Sequence, residues 1–134
     1  MEAVAKLKNC PMSPRKMRLV VDNIRGKDVE DALNILKFTK KEAAEWLEKV
    51  VVSAIANWEN KNGNTVDADD HGLYIKTAFV DGGTMLKRFR PAPHGRAHRI
   101  RKRTNHVTIV VENRIPTELD NQVDEAATAT GEEE

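Results

Sequence analysis

A single cysteine, Cys10, stands among 134 residues, so neither an intramolecular disulfide nor a thiolate metal cluster can form. Long apolar runs are missing too. Val50-Val51-Val52 is far too short to cross a bilayer, and the opening MEAVAKLKNC lacks the uninterrupted apolar core of a signal peptide. These absences make a reducing cytoplasm the expected setting, with no membrane partner. Catalytic signatures are missing as well: there is no Gly-rich phosphate loop, no G-x-S-x-G and no H-E-x-x-H. Asp67, Asp69, Asp70 and His71 read as a solvated turn, not a metal cluster. His94, His98 and His106 lie among cations that oppose another cation, and Cys10 reads as core. No enzyme, cofactor or metal is expected. The last absence is one of sign: not one acid occurs from Gly82 to Val111.

The formal net charge of +1 conceals this asymmetry. Met1 to Lys27 holds seven bases (Lys6, Lys8, Arg15, Lys16, Arg18, Arg25 and Lys27) against two acids. Ile115 to Glu134 holds no base and seven acids, so without it the chain has 22 bases and 14 acids, a difference of +8. The body is basic and the tail hides it. The tail, polar and without periodicity, reads as disordered, leaving residues 1–114 as one domain.

Periodicity organises that domain. Ser13-Pro14 predicts a helix start, followed by Met17, Val20, Val21 and Ile24 on one stripe, with Gly26 as the stop. Arg15, Lys16, Arg18 and Arg25 lie off the stripe and are expected to face outward. Asp28 opens a second helix with Val29, Ala32, Leu33 and Leu36 inward, and Thr39 with Glu42 has the capping-box spacing for a third. That third helix would bury Ala43, Leu47, Val50, Val51, Ala54, Ile55 and Trp58 and end near Gly63. The period then changes: LYIKTAFV (73–80) alternates strictly, HVTIVV (106–111) is rich in β-branched residues, and AVAKLK (3–8) can supply a third strand.

About two dozen residues separate the two better strands, too many for a structureless loop inside a compact domain. The economical reading extends both strands into a two-stranded arm over about 80–103, with a bend or bulge at Gly82-Gly83 and a tip at Pro91–Gly95. The arm, with little apolar content, needs something to lean on. A charge run is most often a solvated face. Here six Arg and two Lys occur without an acid, and Phe89 sits between Arg88 and Arg90. Bidentate phosphate contacts and base stacking both suit that composition. No helix offers base-reading residues, so RNA recognised by shape and backbone fits better than a specific DNA site. Two rival readings are an arm docking on anionic membrane or an acidic protein, and a nuclease using His98 and His106.

SPRKMRLVVDNIRGK (13–27), SAIANWENKNG (53–63) and FVDGGTMLKRFRPAPHGRAHRIRKRTNHVTIVV (79–111) together resemble the bacterial family of protein twenty-two of the large ribosomal subunit, over about residues 3 to 114. The resemblance implies an α+β fold: three helices on a three-stranded antiparallel sheet with a long protruding β-hairpin. It implies large-subunit ribosomal RNA, in several domains, as partner, beside neighbouring ribosomal proteins and the nascent peptide, with a part in early assembly. It puts the body near the exit of the nascent-peptide tunnel and the tip on the tunnel wall near the macrolide site. By position, Arg15, Lys16, Arg18, Arg25 and Lys27 match the basic face of the first helix. Lys87, Arg88, Arg90, Arg96, Arg99, Arg101, Lys102 and Arg103 match the RNA-facing bases of the arm, with Lys6 and Lys8 added from the N-terminal segment. The tip comprises Leu86, Lys87, Arg88, Phe89, Arg90, Pro91, Ala92, Pro93, His94, Gly95 and Arg96. Two departures stand out: Thr84 where Pro is frequent, and Pro93-His94 in place of a small-plus-basic pair.

Overall fold

Met17, Val20, Val21 and Ile24, the predicted stripe, are all buried on α1 (Pro14–Ile24) in the computed structural model, which describes residues 1–63, 68 and 70–117. Pro14 starts the helix because its missing N–H would be unpaired there anyway. Gly26 ends it at φ 74°, a conformation in which a Cβ is strained. α2 (Val29–Phe38) buries Val29, Ala32 and Leu36, and α3 (Glu42–Lys61) buries seven residues from Ala43 to Trp58. The predicted capping box does not form. Thr39 instead closes α2, its hydroxyl donating to the Ile35 carbonyl at 2.6 Å, and α3 starts after Lys41 without a side-chain cap.

The strands are β1 (Glu2–Cys10), β2 (Leu73–Pro91) and β3 (Ala97–Asn113), antiparallel in the order β1-β3-β2. The helices cover one face, where Ala3, Val111 and Ile75 align across the sheet, as do Ala5, Ile109 and Ala78. The strict alternation expected over 73–80 is broken. Lys76 is an extra residue between Ile75, opposite Val111, and Thr77, opposite Val110. A bulge moves every later residue to the other face. So Ala78 and Val80 point inward while Phe79 is left on the open face.

Both sheet edges are blunted by this packing. On the β2 edge, Arg18 donates from Nε and Nη2 to the Val80 carbonyl, at 3.1 and 2.9 Å, and Arg25 makes the same fork to Ala78. Gly26 N–H reaches the Ile75 carbonyl, and Ile75 N–H the Lys27 carbonyl, each at 2.9 Å. On the β1 edge, Asn57 and Lys61 of α3 donate to the carbonyls of Val4 and Glu2. Unpaired edges of this kind otherwise invite another chain. Ile115 N–H bonds the His71 carbonyl and Thr117 is buried, so the chain stays on the body three residues past 114. The rest of the predicted tail lies outside the described residues. No helix among them is long and apolar enough to cross a membrane.

Candidate nucleic-acid interface

β2 and β3 do not stop where the helices stop covering them. They remain paired from Gly82 opposite Asn105 out to Pro91 opposite Ala97, a protrusion of roughly 30 Å at 3.3 Å per residue. The root is a second bulge, in which Gly83 and Thr84 face Thr104 alone. Thr104 Oγ1 donates to the Thr84 carbonyl at 2.6 Å, and a Cβ on Gly83 would lie 2.4 Å from that oxygen. Only glycine lets the strands approach so closely at this point. At the far end Ala92 N–H bonds the Arg96 carbonyl at 2.8 Å across a single 3₁₀ turn, Pro93–Gly95. His94 and Gly95 both adopt positive φ, 63° and 68°, so the tip bends through two left-handed residues.

Directly opposed residues of an antiparallel pair share a face. One face of the arm carries Lys87 with Arg101, Phe89 with Arg99, and Met85 with Arg103. The other carries Leu86 with Lys102, Arg88 with Ile100, and Arg90 with His98. Cations therefore line both faces, and Arg96 adds one at the tip. Among the described residues none of these side chains forms an ion pair. Lys87 directly opposite Arg101 is destabilising in itself. Phe89 is 71% exposed and Leu86 54%. A pair of strands with this little burial and this much self-repulsion gains by being surrounded with negative charge.

The cations of the body divide into two groups. Arg15 and Lys16 are exposed in the first turn of α1, and Lys6 and Lys8 are exposed on β1, Lys8 beside the bulge residue Asn9. Arg18 and Arg25 lie partly spent on the β2 carbonyls, with Arg25 also paired to Asp22 at 2.9 Å. Their outward-facing role in the sequence reading is thus shared with holding an edge strand. Lys27 sits just past the end of α1, a helix length of about 16 Å from Arg15 and Lys16.

The structure also brings together residues that pattern alone did not. Leu86, Arg101, Lys102, Arg103 and Thr104 meet Pro11 and Ser13 around an open cleft of about 450 Å³, so the arm root and the start of α1 form one cationic crook. Asn105, fully buried, fixes that junction by donating to the Met12 carbonyl at 2.7 Å. Nothing local marks Asn105, because its partner is 93 residues away. Cys10 is buried beside it, and burial pushes its thiol above the ordinary value, as expected of a core cysteine. His98 and His106 stand eight residues apart on β3, roughly 26 Å, so they cannot act on one scissile bond. His106 Nδ1 instead accepts the Asn9 N–H at 3.0 Å.

Comparison with known proteins agrees with this architecture. Residues 5–112 match the model of a family described as ribosomal protein L22p/L17e. A large ribosomal subunit protein uL22 from Flavobacterium psychrophilum is 65% identical over 109 residues, covering 81% of this chain and 79% of its own. Its counterpart from Flavobacterium johnsoniae is 66% identical over 111 residues, covering 81% and 79%. A uL22 from Bacteroides fragilis is 56% identical over 117 residues, covering 87% and 85%. With the match running from β1 through the whole arm to the end of β3, the chain belongs to the uL22 family of large ribosomal subunit proteins.

Proposed function

We propose that this large-subunit protein anchors itself by threading the arm into ribosomal RNA, with the body left on the surface beside it. Proteins of the family are structural constituents of the ribosome and not enzymes, and the chain works in the cytoplasm as part of that particle. One observation carries the threading: the arm is cationic on both faces, and among the described residues neither face carries an ion pair. A flat anionic surface would neutralise one face and leave the other repelling itself. RNA that surrounds the arm neutralises both, and each phosphate contact releases counterions. The crook formed by Pro11, Ser13 and Arg101–Thr104 supplies a further seat for the backbone where the arm leaves the body.

The resemblance read from the sequence implies the finer placement: several RNA domains contacted, entry early in assembly, the body near the tunnel exit, and the tip from Leu86 to Arg96 on the tunnel wall near the macrolide site. A narrow two-stranded arm of about 30 Å with an exposed ring at Phe89 supports that placement. On this reading the nascent peptide meets the tip. Residues 118–134, with seven acids, take no part in RNA binding, because phosphates repel them.

The test of threading is salt. Affinity for a large-subunit RNA fragment should fall steeply with ionic strength, and Arg101→Ala should flatten the log–log slope by roughly 0.7 to 0.9. A slope unchanged by salt would overturn it. Leu86 pairs with Lys102 at the root, so the tip is tested farther out: Phe89→Ala with Arg90→Ala should leave subunit yield on gradients near normal while altering macrolide response. Charge reversal at Lys102 and Arg103 should lower the yield instead. Identical failure of both variants would sink the division between tip and root.

A further inference from the structure

We propose that the turn between α2 and α3, with the cleft beside it, is a second RNA site. There Phe38 stacks on an unpaired base, and Lys16, Lys37, Lys40 and Lys41 hold the flanking phosphates. The proposal rests on the RNA-binding reading of the arm and extends it to a face of the body that the arm does not reach.

Phe38 is 81% exposed, more than Phe89 at the arm. It contributes nothing to the core, since α2 faces inward with Val29, Ala32 and Leu36. Nor does it hang from a loose segment. The turn is tied by Thr39 N–H to the Leu36 carbonyl at 3.2 Å, the Thr39 hydroxyl to the Ile35 carbonyl, and Lys41 N–H to the Thr39 carbonyl at 2.9 Å. A phenyl ring on a backbone tied in this way has only its side-chain rotation left to lose when it stacks, which suits a base platform. The chain around it reads Lys37-Phe38-Thr39-Lys40-Lys41, cations interleaved with an aromatic and no acid. All these lysines are exposed, and none of them, nor Lys16, is in an ion pair among the described residues.

Beside the turn, Met12, Leu19 and Ala43 floor a cleft of about 290 Å³ rimmed by Lys16, Lys41 and Glu42. Leu19 is itself 57% exposed. An apolar floor with ammonium groups on its rim suits the flat face of a base next to its phosphate. Continuity selects RNA as the occupant. Met12 lines this cleft, while its neighbours Pro11 and Ser13 line the crook at the arm root, so the two clefts adjoin through the 11–13 turn, with Arg101–Arg103 on one side of it and Lys16 and Lys41 on the other.

The experiment uses the full chain and a short single-stranded RNA of mixed sequence, read by fluorescence anisotropy. Phe38→Ala and Phe38→Leu should each weaken binding about fivefold or more, the lower end of one stacked base, with an unchanged salt slope. Phe38→Tyr should bind normally. Lys40→Gln with Lys41→Gln should flatten the slope by roughly 1.4, two single-strand phosphate contacts. Because Phe38 is exposed, melting temperatures should match across the Phe38 variants, which separates binding from folding. If Arg101→Ala weakens binding and Phe38→Ala does not, the second site is wrong while the arm reading stands. If neither weakens it, the RNA reading itself fails. Phe38-dependent binding to phosphatidylglycerol vesicles, without an effect on RNA, would reassign the face to a lipid surface. In assembled large subunits, a benzophenone side chain at position 38 should cross-link to RNA; cross-links to protein alone would overturn the proposal.

Discussion

β2 and β3 are two regions in one: their inner halves belong to the body and their outer halves form the arm. The backbone pairing is the same in both, yet everything around it differs. In the body, Val107, Ile109 and Val111 are fully buried under the helices. In the arm, Arg99, Arg101 and Arg103 occupy the equivalent alternate positions on one face and are exposed. Hydrogen-bonded pairing therefore does not decide stability, since strand N–H and C=O groups bond water almost as well when the strands part. What decides it is the apolar surface removed from water, and only the body has that.

The sharpest way to break the comparison is hydrogen exchange on the free protein. Amides of Val107 to Val111 should be protected at least about a thousandfold more than those of Met85 to Arg101, because the former open with the whole body and the latter locally. Equal protection without RNA would mean that the arm supports itself. Single-residue truncation gives the next largest contrast. Ile109→Ala, in the core, should cost about 2 to 5 kcal/mol by urea unfolding, while Ile100→Ala, nine residues away on the arm, should cost under about 0.5 kcal/mol.

The boundary between the regions is open to a third test. Gly83→Ala places a methyl 2.4 Å from Thr104 Oγ1 and forces that hydroxyl off the Thr84 carbonyl. It should cost about 1 to 3 kcal/mol by urea unfolding and shift amide resonances of the arm root more than those of the helices. Smaller again, Arg18→Ala should cost about 0.5 to 1.5 kcal/mol in unfolding, since it exposes the Val80 carbonyl on the β2 edge. If Arg18→Ala lowers RNA affinity at unchanged stability instead, the side chain serves RNA more than the edge.

The sequence carried the parts of this molecule whose cause is local. The α1 stripe, the Pro14 start, the β-branched run of β3 and the acid-free arm each announce themselves within a short window. The parts that escaped depend on distant partners. Lys76 looks like an ordinary outward strand residue, and only pairing with β3 shows that it is the inserted one. Thr39 has two options, capping α3 or closing α2, and the carbonyl of Ile35 wins. Arg18 and Arg25 read as free cations until the β2 edge arrives beside them. For the candidate interface, charge and position marked the arm, whereas the crook with Pro11 and Ser13 needed the fold. Phe38 was legible in principle, an aromatic among lysines, but the denser basic run of the arm overshadowed it.

The smallest effect belongs to a polar cluster on the open face of the body sheet, the counterpart of the like-charge pairs on the arm. Lys76 Nζ meets Glu112 Oε1 at 3.0 Å and also Glu2, while Tyr74 donates to Glu112 Oε2 at 2.5 Å. The Tyr74 hydrogen bond, then that of Lys76, holds the Glu112 carboxyl below its ordinary value of 4.5, and Glu112 in turn raises Tyr74. Lys76 is raised, by Glu2 first and Glu112 second, so its charge persists well into the alkaline range. A carboxyl with a depressed folded value stabilises fully above its unfolded value and loses that contribution as pH falls through the folded one. The melting temperature of Glu112→Gln should therefore lie slightly below that of the parent protein at neutral pH. That gap should hold down to about pH 5 and close below 4.5 as the parent carboxyl protonates. High salt should shrink it too, because the cluster is largely exposed. A gap that widens in acid would mean that the carboxylate costs the fold more than Tyr74 and Lys76 return to it, and the contrast between paired charge on the body and unpaired charge on the arm would lose its energetic basis.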